Sequence, residues 1–168
     1  GRPLMEHSRI RQATPADGAA CAAIYAPYVR DTAITFELDP PGAEEMAGRI
    51  AAAQQAHGWL VAEQAGLVVG YAHAGAHNPR AAYARTASTG IYLAMDQHGR
   101  GHGRRLYQAL IDDLAAKGFH ALIAIIALPN AASEALHAKL GFAPVGHLRE
   151  VGWKFGRWHD TGWWQRLL

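Results

Sequence analysis

The sequence predicts one α/β domain, a mixed sheet with helices layered on it, and three observations carry that prediction. Segments of strand and helix character follow one another as β-α-α-β-β-β-α-β-α-β-β along 168 residues, a length that suits one core. The run HALIAIIALPN is apolar without alternation, as a strand covered on both faces would be. Half of the residues are hydrophobic and 18% are charged, the balance of a compact fold rather than a disordered chain.

Each element has a local reason. A short strand begins at Ile10, and the chain turns helical where Thr14 caps, Pro15 fits the first helical position and Asp17 sits in the first turn. Ala20, Ile24, Tyr25 and Tyr28 then line one face. An irregular stretch, DTAITFELDPPG, leads to a second helix from about Ala43 to Gln55, closed by Gly58. Two strand-like runs in WLVAEQAGLVVGYAHAGA are separated by Gln64-Ala65-Gly66, a short hairpin signal. TASTGIYLAM reads as a further strand, and a helix follows from about Gly103 to Lys117, with Gly118 behind it. NAASEALHAKLGF reads as a short helix with Asn130 as its cap, and the Gly- and Trp-rich C-terminus as strands. The domain is expected to span residues 8–168. Residues 1–7 are set aside as a disordered or vector-derived start, with Met5 as the native first residue.

Composition excludes several function classes. A formal net charge of +2 lacks the clustered Lys and Arg of a nucleic-acid or membrane surface. Cys21 is the only cysteine, so no internal disulfide and no thiolate zinc site can form. No stretch is long and apolar enough to span a membrane and no signal-peptide core opens the chain, so a cytoplasmic protein is expected. His73 and His77, and His98 and His102, stand four apart. The first pair lies along a strand, the second flanks glycines, and neither has a third ligand nearby, so no metal is expected.

The sharpest feature is DQHGRGHGRRLY. Gly99, Gly101 and Gly103 can adopt positive φ and turn successive backbone N–H groups onto one anion just before a helix starts. The helix N-terminus adds partial positive charge, and Arg100, Arg104 and Arg105 add full charges. A flexible turn with solvated arginines is the alternative. A Walker-type P-loop needs Gly-Lys then Ser or Thr, which Gly103-Arg104-Arg105 does not supply; the dinucleotide fingerprint needs another glycine spacing and a later acid.

The loop resembles the acetyl-CoA loop of the GNAT N-acetyltransferase superfamily, with His98 where that pattern has Gln or Arg. LPNAASEALHAKLGF is similar to the superfamily's later motif, and GWLVAE, VVGYA, AYARTASTGIYL and GWKFGRWHDTGWWQ resemble the phosphinothricin and methionine-sulfoximine N-acetyltransferases. The resemblance runs from about Ile10 to Leu168. It implies a GNAT-like mixed sheet of six or seven strands with about four helices, a homodimer, and acetyl-CoA as co-substrate. It also implies direct acetyl transfer to the amino group of a small amino-acid-like substrate, with a part in antibiotic or herbicide resistance.

The resemblance assigns roles to residues. Ile91, Tyr92 and Leu93 occupy the strand whose backbone holds the pantetheine and thioester oxygen. His98, Gly99, Arg100, Gly101, His102, Gly103 and Arg104 form the pyrophosphate loop, and Asn130 and Ser133 contact the pantetheine arm; Asn130 also caps its helix. His137 is the candidate general acid. Phe36, Arg80, Tyr83, Lys154 and Trp158 are the candidate substrate residues, arginine offering a bidentate grip on carboxylate or phosphinate. One position departs from the pattern. Ser88 stands where relatives carry a glutamate base, and serine is no base at neutral pH without another beside it. A water relay, a less basic substrate amine, His137 in both steps, Glu37 brought in by folding, or a CoA-binding module with little catalysis would each accommodate that change.

Overall fold

The structure is a computed structural model that describes residues 7–168; the expectation for the start of the chain lies, for residues 1–6, outside the described residues. Seven strands form one sheet in the order β1-β2-β3-β4-β5-β7-β6. They are β1 (Arg9–Gln12), β2 (Gly58–Gln64), β3 (Leu67–Ala76), β4 (Thr86–Leu93), β5 (Ala121–Ala127), β6 (Ala143–Lys154) and β7 (Arg157–Leu167). Four helices cover it: α1 (Gly18–Asp31), α2 (Ala43–Ala56), α3 (His102–Ala116) and α4 (Ala131–Lys139).

The first helix starts later than Thr14 and Pro15 imply. Pro15–Asp17 form a single 3-10 turn, and α1 begins at Gly18. The Asp17 carboxylate accepts from the Thr14 backbone N–H at 2.8 Å and from both terminal nitrogens of Arg11 at 2.8 Å, which pins the turn to β1. Gly18 has a packing reason: a Cβ there would stand 2.5 Å from the Ala43 carbonyl oxygen, so α1 and α2 touch through it.

Alternation along the strands sorts side chains onto two cores. Leu60, Ala62, Ala72, Ala87, Leu122 and Trp164 pack against Leu106, Tyr107, Leu110, Ile111 and Leu114 of α3. Trp59, Val61 and Tyr71 pack on the other face against α1 and α2. Each fully buried Leu or Ile contributes about 1.5–3 kcal/mol of transfer free energy, so the apolar stripe of α3 suffices to dock that helix.

The pairing that matters for function is between β4 and β5. They are parallel and pair only over Thr86↔Ala121, Ala87↔Leu122 and Ser88↔Ile123. Beyond Ser88 each strand follows its own neighbour: β4 stays on β3 as far as Leu93, and β5 stays on β7 as far as Ala127. Strand twist then draws the two apart, and the backbone edge of β4 from Thr89 to Leu93 has no β5 partner.

Candidate active site

The splay between β4 and β5 opens into a cavity of about 420 Å³ lined by Ile91, Tyr92, Leu93, His98, Gly103, Asn130, Ser133 and Leu136. Its mouth carries the glycine loop. Gly99 and Gly101 have φ of 78° and 80°, the left-handed conformation that turns their amides toward one side, and Gly101 is the N-cap of α3. Arg100 and Arg104 are exposed beside it. An extended arm with an anionic end fits this shape: an apolar cleft with free strand amides, then a nest on a helix N-terminus with two cations. Gly103 departs from the expectation. It has no positive φ, because it lies inside α3, and a Cβ there would meet Leu93 Cδ1 at 3.4 Å; its part is close packing of helix on strand.

His98 is anchored. Its Nε2 lies 2.8 Å from the Tyr28 hydroxyl, which itself donates to the Leu93 carbonyl. A hydroxyl has one proton, so His98 is the donor and carries its hydrogen on Nε2. The imidazole thereby ties the loop to α1 and β4, the work that Gln or Arg does in the resembling pattern. The His102 side chain, by contrast, is turned away from the loop. It is buried against the Ser8 hydroxyl at 3.0 Å, so only its backbone is placed to meet an anion.

At the far end of the splay, His137, Ser133 and Asn130 line a smaller cavity of about 70 Å³ with Thr89, Gly90 and Ile91. Asn130 Oδ1 accepts from the Ser133 N–H at 3.1 Å, the helix cap expected of it. His137 is buried, with Nδ1 2.7 Å from the Ser133 carbonyl and Nε2 3.0 Å from the Tyr107 hydroxyl. The carbonyl can only accept, so Nδ1 carries a hydrogen, and in the neutral ring Nε2 accepts from Tyr107, whose oxygen lies 2.6 Å from Thr89 Oγ1. Burial lowers the His137 pKa. The ring is the last member of a Thr89–Tyr107–His137 hydrogen-bonded chain.

A second cavity, about 480 Å³, lies on the α1–α2 side of the sheet and shares Tyr92 with both others. It is lined by Tyr25, Glu37, Arg49, Trp59, Tyr71 and His73, among others. Glu37, from the irregular stretch, is gripped by Arg49 at 2.5 and 3.0 Å and accepts from the Tyr25 hydroxyl at 2.9 Å. The Arg49 contact, with Tyr25 adding to it, lowers the Glu37 pKa. Among the described residues no three His, Cys, Asp or Glu side chains gather as a metal site.

The profile of the family described as the acetyltransferase (GNAT) domain matches residues 10–163 of the chain. The chain belongs to the GNAT acetyltransferases. The phosphinothricin N-acetyltransferase of Streptomyces viridochromogenes is 39% identical over 94% of this chain and 86% of its own length. The L-methionine sulfoximine/L-methionine sulfone acetyltransferase of Pseudomonas paraeruginosa is 40% identical over 95% of this chain and 94% of its own. The crystal structure of a GNAT superfamily phosphinothricin acetyltransferase from Sinorhizobium meliloti, in complex with acetyl-CoA, superposes with a TM-score of 0.92 at 36% identity, over 97% of this chain and 89% of that one. The mixed sheet with four helices is the GNAT fold.

Within this GNAT chain the five expected substrate residues do not converge on the 480 Å³ cavity, whose lining includes none of them. Arg80 and Tyr83 lie on the exposed β3–β4 connection, Tyr83 against His77. Phe36 packs over Gly152, where a Cβ would collide with its ring, and beside His159. Lys154 is buried with Nζ 2.8 Å from the Thr35 carbonyl, so it fastens the segment that carries Glu37. Trp158 is exposed on β7, edge-on to Trp153. Sequence reasoning missed Arg49 and Tyr25, which read as ordinary positions on helix faces, and took His73 only as half of a rejected metal pair. Ser88 sits opposite Gly75 with no carboxylate on its own strand to assist it.

Proposed function

We propose that this N-acetyltransferase uses acetyl-CoA to acetylate the amino group of a small amino-acid-like substrate, of the kind represented by phosphinothricin and methionine sulfoximine. The observation that carries the reading is the meeting of two cavities at Tyr92: a cleft with a glycine nest at one end, and a chamber holding the Glu37–Arg49 pair. The backbone of Gly99 to Gly103, with Arg100 and Arg104, grips the pyrophosphate; Asn130, Ser133 and the open edge of β4 from Ile91 to Leu93 orient the pantetheine arm. Free amides of that edge are fixed donors where charge develops on the thioester oxygen. The Thr89–Tyr107–His137 chain stands beside the reacting end and supplies a proton path to the departing thiolate.

The chamber binds the amine. Its aromatic walls, Trp59, Tyr71 and Tyr92, exclude water. A second copy of the chain completes the assembly: Val151, Trp153, Phe155 and Trp158 are exposed along the β6–β7 hairpin, an apolar face of the kind that pairs. A cytoplasmic place accords with Cys21, which is buried and unpaired. No helix among the described residues is long and apolar enough to cross a membrane.

The test is CoA release measured over a panel of phosphinothricin, methionine sulfoximine, methionine sulfone and ordinary amino acids. Saturable turnover with one of these supports the reading. Thermal stabilisation by CoA without turnover of any amine would instead favour a binding module, the reading that Ser88 leaves open.

A further inference from the structure

Ser88 leaves the substrate amine without a carboxylate on β4, and the chamber supplies another group in its place. His73 on β3 is paired in register with Gly90, two residues from Ser88 and two from Tyr92, and shares their face of the sheet. A Cβ on Gly90 would stand 2.8 Å from His73 Nε2, so the missing side chain is what lets the imidazole lie across β4. Gly90 in turn lines the small cavity at the splay, beside Ile91 and His137. His73 thus sits at the junction of the amine chamber and the acyl cleft. Its ring is held between Trp59, 5.0 Å away, and Tyr92, 6.4 Å away and nearly parallel. Neither ring nitrogen has a hydrogen-bond partner among the described residues, and the ring borders the chamber.

We infer that His73 accepts the proton of the substrate ammonium, from a position over Gly90, in place of the carboxylate absent at Ser88; the inference rests on the acetyltransferase reading above. The other ionisable groups of the chamber are unsuited. Glu37 is occupied by Arg49 and Tyr25. Burial raises the pKa values of Tyr25, Tyr71 and Tyr92, which stay protonated. His57 lies at the other end, against Phe119. The groups that face His73 are Arg49 from α2, Glu37 from the segment before it, Tyr25 from α1, Tyr71 from its own strand, and Tyr92 and Ser88 from β4. Burial and the Arg49 cation lower the His73 pKa to about 4, so the ring is a neutral acceptor across the physiological range.

In the step, His73 takes one proton from the ammonium. The freed nitrogen lone pair forms the N–C bond to the thioester carbonyl, whose π pair moves to oxygen. On its return the C–S bond breaks, and the second proton of the nitrogen passes to the departing thiolate, relayed by the Thr89–Tyr107–His137 chain. His73 then releases its proton to water, leaving amide, CoA thiol and one proton.

The test compares wild type with His73→Gln, following CoA release with acetyl-CoA and phosphinothricin or methionine sulfone from pH 6 to 8, roughly the window in which the amine is an ammonium. The wild type is expected to give a kcat/KM nearly independent of pH, because the bound ammonium is deprotonated on the enzyme. His73→Gln is expected to lose about 10²-fold or more in kcat, to keep its thermal stabilisation by CoA, and to gain rate with pH by about tenfold per unit, because only free amine reacts. Adding Ser88→Glu to His73→Gln is expected to restore part of the rate. A His73→Gln variant within about threefold of wild type, or one that loses activity without change in the shape of its pH profile, overturns the inference. If His73→Gln does not bind CoA, the same readouts are taken on Gly90→Ala, whose methyl displaces Nε2; wild-type rate and profile there overturn it too. A wild type that turns over no amine defeats the acetyltransferase reading itself and is seen before any variant is made.

Discussion

The His98 imidazole donates to the Tyr28 hydroxyl across 2.8 Å, joining the glycine loop to the last turn of α1. Tyr28→Phe removes both this bond and the one to the Leu93 carbonyl. The expected result is an increase in KM for acetyl-CoA of about tenfold, the net worth of one to two neutral hydrogen bonds, with a smaller change in kcat. Steady-state kinetics with acetyl-CoA varied at saturating amine will show it.

Gly101 holds φ at 80° where α3 begins. Alanine there meets no atom within 4 Å, so its effect is conformational alone. Gly101→Ala should cost about 1–2 kcal/mol in stability or push the loop out of the nest, weakening CoA binding. Thermal denaturation with and without CoA separates the two, since a displaced loop shrinks the CoA-induced shift in Tm.

Tyr107 joins Thr89 to His137 inside the core. Tyr107→Phe leaves two buried partners unsatisfied and should destabilise the fold by about 1–3 kcal/mol. It should also lower kcat while leaving KM for acetyl-CoA close to wild type, because the proton path is broken and the loop is not. Denaturant melts and initial rates test both halves.

The Arg11 contact holds the Asp17 carboxyl below the usual carboxylate range, with the Thr14 amide adding to it. A depressed folded pKa contributes stability that is present above the unfolded value, near 3.8, and is lost as pH falls through the folded one. Asp17→Asn is therefore expected to lower stability by about 1–3 kcal/mol at pH 7 and by progressively less below about pH 4. Urea melts at pH 7 and pH 3.5 give the difference.

Trp153 and Trp158 meet edge-on at 5.0 Å and are both about half exposed. A charge on this face disfavours its burial against a second copy. Trp153→Glu is expected to convert the proposed dimer to monomer, read as a halved mass by light scattering, with the melting curve of the single chain little changed because the side chain is outside both cores.

Much of this was legible in the chain. The Ala65-Gly66 turn and the Asn130 cap follow from φ preferences and side-chain reach, both local, whereas β5 is covered on both faces only as far as Ala124 and leaves Ile125 half exposed. The glycine loop was legible for the same reason, although Gly103 belongs to the helix. The placement of Arg80, Tyr83 and Lys154 was not legible: the structure does not bring them together in one pocket, the first two being exposed in the single chain and Lys154 spent on the Thr35 carbonyl.

The sequence by itself determined the order of elements, the nest at the start of α3 and the absence of a carboxylate at Ser88, since each is written in neighbouring residues. Only the tertiary structure decided that β7 lies between β5 and β6, that β4 parts from β5 after Ser88, and that His73 lies over Gly90 with no hydrogen-bond partner among the described residues. Those facts depend on strand register and on contacts between segments distant in the chain, and periodicity along one segment carries no record of which partner it will meet.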